Sequence, residues 1–228
     1  MVKIERNDTE KTALAINSLE KEKPKSSGKC NTSEVIDALI EIFHSKCYIC
    51  ESDRLNTVEI EHLIPHRNDK NLKFDWNNLF LACGHCNHIK GTKFNPILDC
   101  TKIEVDELIS FRKIGYFSTD EYLKFEPVSD FPNNEEIQMT CDLLQRIHYG
   151  KTPQEKVESK MLRHYVQAEL NKFKYCIRDY LESSGEVKKD LFVTIRQQLK
   201  STSPFAAFKR WIVRDNSNCK DFLDCWKE

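Results

Sequence analysis

The residues of this chain that could do chemistry crowd around one stretch, Glu59 to Lys93, which reads EIEHLIPHRNDKNLKFDWNNLFLACGHCNHIKGTK. Two kinds of metal ligand meet there. Cys47-Tyr-Ile-Cys50, just upstream, and Cys83-Gly-His-Cys86, within it, are paired thiols at knuckle spacing. Each knuckle offers two thiolates from one tight turn, which Gly84 eases in the second, and four soft ligands close a tetrahedral site suited to a structural zinc ion. Glu61, His62, Asn78 and Asn87 stand around the second knuckle. A Glu carboxylate and an Asn carbonyl are hard oxygen ligands suited to magnesium or manganese. An imidazole with an unperturbed pKa near ~6.5 can take a proton at neutral pH. Lys90 follows Asn87 by three positions and shares its helical face.

Composition is consistent with this. The chain has 228 residues, enough for a substantial core, and a net charge of -1 that conceals 31% charged residues. Near-neutrality argues against a protein that coats nucleic acid and leaves room for a local basic groove. No stretch approaches the ~20 apolar residues of a membrane helix. Met1 is followed by charge rather than by an apolar leader, so the expected location is cytoplasmic, with no membrane association. In that compartment the ten Cys are reduced, and paired Cys signify metal before disulfide. Cys30, Cys100, Cys141, Cys176, Cys219 and Cys225 lack a close partner and read as small, partly buried hydrophobes. His85, between two Cys, reads as an exposed turn residue. His66 and His88 are second-tier candidates, and His44, His148 and His164 fall in helical segments.

Several elements must position the cluster. Residues 1–29 are polar and Lys/Glu-rich and read as a flexible N-terminal arm that could order against a partner. From Thr32, the apolar residues Val35, Leu39, Ile42 and Phe43 recur at helical spacing, leading into the first knuckle. TVEIEHLI alternates as a strand does, with Pro65 to end it. A regular strand sends Glu61 and His62 to opposite faces, so both reach one site only if the strand ends or distorts there. Beyond Cys100, GYF and YLKFEP suggest a small hairpin. Helices follow: one carrying Ile137, Cys141, Leu144 and His148 on one face, and a long one from Pro153 to about Glu182. In the latter, Thr152 and Glu155 form a capping box with Pro at the first helical position. A further helix is lined by Val187, Leu191, Ile195 and Leu199. The last starts at Ser203-Pro204 and buries Phe205, Phe208 and Trp211 or Ile212. Gly150-Lys-Thr152 imitates the end of a nucleotide-binding loop, but no strand precedes it and the capping box accounts for Thr152.

The order Cys-x-x-Cys, acidic–His-x-x-Pro, Asn-Leu, Cys-x-x-Cys-Asn-x-x-Lys resembles the HNH nucleases, whose catalytic unit is a β-hairpin and helix gripping one metal. The resemblance implies that His62 is the general base, that Asn78 braces the loop aiming it, and that Glu61 and Asn87 bind the catalytic Mg2+ or Mn2+. Glu61 replaces the commoner Asp, and Asn87 replaces the second His of the family name; both keep an oxygen ligand. The implied reaction is phosphodiester hydrolysis by an activated water. Lys90, Lys93, Arg67 and Lys73 are candidates for holding flanking phosphates. FDWNNLFLACGHCN and the tail SPFAAFKRWIVRD further resemble the HNH subunit of Septu antiviral systems, which also occurs beside some retrons. That likeness implies a PtuA-like ABC-type ATPase partner.

The expected fold is α+β: a zinc-stapled HNH (ββα-metal) nuclease centre embedded in a mainly α-helical protein. The arm covers residues 1–29, the nuclease domain with its four-cysteine zinc site 30–100, and the helical region 101–228. The expected activity is nucleic-acid cleavage within an anti-phage complex. DNA is the favoured substrate; RNA, tRNA included, stays open because an external water needs no 2′-hydroxyl. The alternative is an inactive zinc-ribbon interaction module of such a complex.

Overall fold

The computed structural model describes residues 1–115, 121–128 and 134–226. Its centre is an antiparallel hairpin of β1 (Val58–His62) and β2 (Leu79–Cys83), in register from Val58 opposite Cys83 to His62 opposite Leu79. The strands differ in burial because their sequences differ. The residues Leu79 to Ala82 are an unbroken apolar run and are fully enclosed, whereas β1 alternates and is half-exposed. β2 runs directly into α4 (Gly84–Lys90), which opens on the second knuckle. At the joint a side chain on Gly84 would press on the Thr57 hydroxyl, 2.5 Å from an ideal Cβ, and displace the oxygen that accepts from the Gly84 amide.

The helix expected before the first knuckle is α2 (Ser33–Ile42), and it buries Val35, Ala38, Leu39 and Ile42. Phe43, Tyr48 and Phe80 form a ring cluster beneath it, with centroids 4.8–6.4 Å apart. The Tyr48 amide donates to the Leu81 carbonyl at 2.9 Å, tying the first knuckle to β2.

Residues 1–29 are not a free arm. Met1, Val2 and Ile4 are buried, and the Ile4 amide donates to the Cys100 carbonyl. The Arg6 guanidinium lies over the rings of Phe43, Trp76 and Phe80 and donates to the Trp76 and Leu79 carbonyls. α1 (Glu10–Glu22) buries Ala15 and Leu19, a stripe too narrow to stand out among its Lys and Glu. Composition misled here because order comes from tertiary contacts rather than from the segment's own hydrophobicity.

After the short helices α3 (Lys70–Lys73) and α5 (Val105–Leu108), β3 (Ile109–Ile114) pairs with β4 (Tyr122–Pro127). The YLKFEP strand is therefore present, but its partner is the earlier ISFRKI; of GYF, only Gly115 lies within the described residues. Then come α6 (Glu135–Tyr149), α7 (Pro153–Glu182), α8 (Gly185–Leu199) and α9 (Ala206–Arg214), followed by a 3-10 turn, Ser217–Phe222. The expected face of α6 is buried throughout. The α8 stripe is half-correct: Ile195 and Leu199 are buried, but Val187 is 60% exposed because the first turns of α8 project beyond the packing. The main core runs from Met1 to Trp211 and crosses the expected boundary at residue 100. A second, smaller core joins Phe173, Ile177, Tyr180, Ile195, Leu199 and Phe222.

Candidate active site and metal centre

The four knuckle thiols converge. Cys47, Cys50, Cys83 and Cys86 bring their sulfur atoms within 4.8 Å of one another, which is the spacing of a shared metal ion. All-thiolate donors of this kind suit a soft or borderline ion and leave no open position for water. Among the described residues no other cluster of His, Cys, Asp and Glu has this form. The turn is also locked to the helical region. His85 sends Nδ1 to Glu158 at 2.8 Å and Nε2 to the Ile147 carbonyl at 2.8 Å. It is not the exposed turn residue that the sequence suggested, because α7 packs over it.

His62 ends β1, and its ring is held from behind. Nε2 lies 3.1 Å from the Lys73 carbonyl. A carbonyl can only accept, so Nε2 carries the hydrogen and Nδ1 is left with the lone pair. Burial, first, and then the neighbouring His66, Lys90 and Lys73 push the His62 pKa below its usual value, partly opposed by the Lys73 carbonyl. The ring is thus neutral and able to accept a proton at Nδ1 around neutral pH. The His66 ring packs against it with centroids 4.7 Å apart, and His66 Nδ1 accepts from the Asn68 amide.

Asn78 organises the loop between them. It stands in a 3-10 turn, Trp76–Asn78, just before β2. Its Oδ1 accepts from the Ile64 amide at 2.7 Å, and its Nδ2 donates to the Ile64 and Leu72 carbonyls at 2.9 and 3.0 Å. The Leu63 amide donates to the Asn78 carbonyl. One buried side chain therefore joins the exit of β1 to the turn that carries Lys73.

β1 ends at His62, and there Lys90 joins the Glu61 carboxylate to the His62 carbonyl. Glu61 is 5% exposed and lies under α4. Burial, outweighing the attraction of Lys90, raises its pKa to about 7. Its Oε1 is 2.9 Å from Lys90 Nζ, and the Tyr48 hydroxyl donates to Oε2 over a long 3.4 Å. Lys90 is wholly buried and also donates to the His62 carbonyl at 2.8 Å. That corrects its expected place at phosphate: the ammonium faces inward because Glu61 and the end of β1 supply its acceptors. Asn87 is half-buried, one turn earlier on the same helix. Of the other candidate cations, Arg67 and Lys93 are exposed, while Lys73 donates to the Gly28 carbonyl. Sequence reasoning passed over Tyr48 and the Lys73 carbonyl. A main-chain acceptor carries no signal in residue type, and Tyr48 was marked only by standing between two ligand Cys.

Hairpin, helix and thiol cluster together make a ββα arrangement beside a four-cysteine cluster, and residues 47–93 match the HNH endonuclease family model. Over 70 residues the chain is 37% identical to the Septu protein PtuB of Bacillus thuringiensis; the match covers 28% of this chain and 27% of that protein. No solved structure matches. No helix among the described residues is long and apolar enough to cross a membrane.

Proposed function

We propose that this chain is a metal-dependent endonuclease that hydrolyses phosphodiester bonds. We further propose that it serves as the nuclease of an anti-phage defence complex with an ABC-type ATPase. The observation that carries the reading is His62: a ring with Nε2–H fixed on the Lys73 carbonyl and Nδ1 kept neutral, in a loop braced by Asn78. Zinc on Cys47, Cys50, Cys83 and Cys86 is structural, since the donor set is closed.

The donor chemistry of Glu61 and Asn87 fits a hard divalent ion. Magnesium or manganese bound there would neutralise charge on the phosphate and on the departing 3′ oxygen. The chain's own residues do the rest. His62 Nδ1 takes the proton of the attacking water, and the Lys73 carbonyl keeps the ring aimed through that transfer because Nε2–H persists in the imidazolium. Asn78 moves no proton; it fixes the loop. Arg67 and Lys93, exposed near the loop and helix ends, are suited to flanking phosphates. A water nucleophile needs no 2′-hydroxyl, so DNA, the favoured substrate, and RNA are both to be tested. The ATPase partner is inferred from the likeness to PtuB.

Cleavage of plasmid DNA and of total RNA with Mg2+ or Mn2+ tests the reading, alone and with the co-expressed ATPase. His62→Ala is expected to lower the rate by ~10²–10⁴-fold with zinc content unchanged. Asn87→Ala should instead shift the metal dependence to higher concentration. Wild-type cleavage that survives a chelator while zinc stays bound would overturn the one-metal mechanism. A non-catalytic zinc-ribbon module is the second reading. It is favoured by the Lys90 ammonium already resting on Glu61, and absence of cleavage under every metal and partner condition would select it.

A further inference from the structure

Glu61 is a carboxylate with little access to water, and Lys90 supplies a counter-charge to it. The Lys90 side chain is 0% exposed, and its ammonium bridges Glu61 Oε1 at 2.9 Å and the His62 carbonyl at 2.8 Å. An ammonium in that position does three things at once. It neutralises a buried charge that is costly to hold unpaired. It fixes the backbone at the residue whose ring is the general base. It also competes electrostatically with any second cation on the same carboxylate, because like charges a few ångströms apart repel strongly in a partly desolvated site.

We propose that Lys90 is a built-in counter-ion that sets the divalent-ion affinity of the centre. It keeps the metal-free hairpin folded and holds metal affinity below what the bare ligands would give. The inference rests on Glu61 being a ligand of the catalytic ion. Lys90 is thus a positioning residue that acts through Glu61 and the His62 backbone, and the chain would need free divalent ion at a raised concentration before the centre is loaded. Asn87, one turn before Lys90 on α4, is the neutral neighbour that makes this arrangement workable. A carboxylate or imidazolium there would alter the charge count beside the ammonium, whereas an amide oxygen offers a ligand without changing it.

The test is a Mn2+ titration of the zinc-loaded full chain, read by the free-Mn2+ electron paramagnetic resonance signal and requiring no activity. Lys90→Met is expected to bind Mn2+ at least ~10-fold more tightly than wild type, because the competing charge is gone. Lys90→Arg should stay near wild type, and Glu61→Gln should bind more weakly than either. Circular dichroism and zinc stoichiometry verify folding. If Lys90→Met does not fold, Lys90→Gln carries the test with the same expected direction, since its amide can still donate to Glu61 and the His62 carbonyl. Wild-type binding that neither neutral variant tightens would overturn the role of Lys90 and leave the metal reading intact. Failure of wild type and of the neutral variants alike to bind Mn2+ would overturn Glu61 as a ligand, and the inference with it.

Discussion

Around residues 47–93 the elements are short: five-residue strands, a seven-residue helix and loops between them. Polar groups and thiols hold this centre in place, with Asn78 in its loop, Glu61 under its helix and four Cys at its corner. The far end of the helical region is held differently. There the 30-residue α7 and the 15-residue α8 pair along Phe173, Ile177, Ile195 and Leu199, and Tyr180, Phe192 and Phe222 stack with centroids 4.9–6.2 Å apart. A periodic apolar face can order a long helix pair without any ligand. The short elements of residues 47–93 share the main core through Leu79, Phe80, Leu81 and Ala82, but directional bonds and thiols must fix the turns that burial leaves free. The two regions should therefore answer to different perturbations.

The largest expected effect separates them directly. Cys83→Ser, or zinc removal by a strong chelator, should release the metal and dissolve order across residues 47–93. Structural zinc sites contribute apparent binding energies of ~10–16 kcal/mol, more than any single side-chain contact here. Hydrogen exchange is the measurement: protection should collapse in β1, β2 and α4 but persist in α8 and the second half of α7. Equal loss in both regions would erase the distinction between them.

Acid should act on the helical side. His148 is enclosed by Phe125 and Phe208, and its Nδ1 lies 2.8 Å from the Leu144 carbonyl. Burial, the largest cause, pulls its pKa from 6.5 down to about 4. In that interval the unfolded chain binds a proton that the native ring refuses. Stability is therefore full above about pH 6.5, falls as pH drops toward 4, and loses nothing further from this group below that. The total is about 3 kcal/mol. Urea melts at pH 7 and pH 4.5, for wild type and His148→Phe, give the difference; an unchanged pH slope in the variant would remove His148 as its source.

The brace of the His62 loop comes next. Asn78→Ala strands the Ile64 amide and two carbonyls and should cost about 2 kcal/mol. Asn78→Asp keeps the acceptor but turns a carboxylate oxygen toward the Ile64 and Leu72 carbonyls, so it should be no better than Ala. Both should lower cleavage more than they lower stability, since Lys73 would no longer hold His62. Denaturant melts alongside single-turnover rates would detect the opposite, a pure stability defect.

What could be read beforehand follows the same division. The four Cys were visible because thiolate ligation restricts residue type and spacing, and Glu61, His62, Asn78 and Asn87 stood out as candidates by the family pattern they resemble. The face of α6 was visible because helical burial imposes a period, and the start of α7 because a capping box marks it. Three things were not. The packing of residues 1–6 depends on Arg6 meeting carbonyls and rings contributed by residues 43–80, and no local pattern encodes that. The partner of β4 is a six-residue run that follows immediately on α5, so nothing punctuates its start. Lys90 was assigned to phosphate by its type, whereas a lysine bonded to a buried carboxylate and a strand-end carbonyl is held inside.

The smallest effect concerns the loop that imitates a nucleotide-binding motif. Thr152 Oγ1 accepts from the Glu155 amide, and the Glu155 carboxylate accepts in turn from the Thr152 amide, each at 3.2 Å. Glu155 also accepts from the Lys151 amide and from Arg146, and these bonds, the Lys151 amide foremost, pull its pKa down to about 2. The Thr152 hydroxyl and the Glu155 carboxylate are thus already engaged in starting α7. Thr152→Ala should therefore cost about 1 kcal/mol, the ordinary loss of a cap. Thr152→Ser should restore it, and neither change should alter nuclease activity. A thermal melt and a cleavage assay on the pair are sufficient. Activity lost in Thr152→Ala without a matching fall in stability would mean that this turn touches substrate or partner, and the helical region would then be more than the packed scaffold its apolar stripes describe.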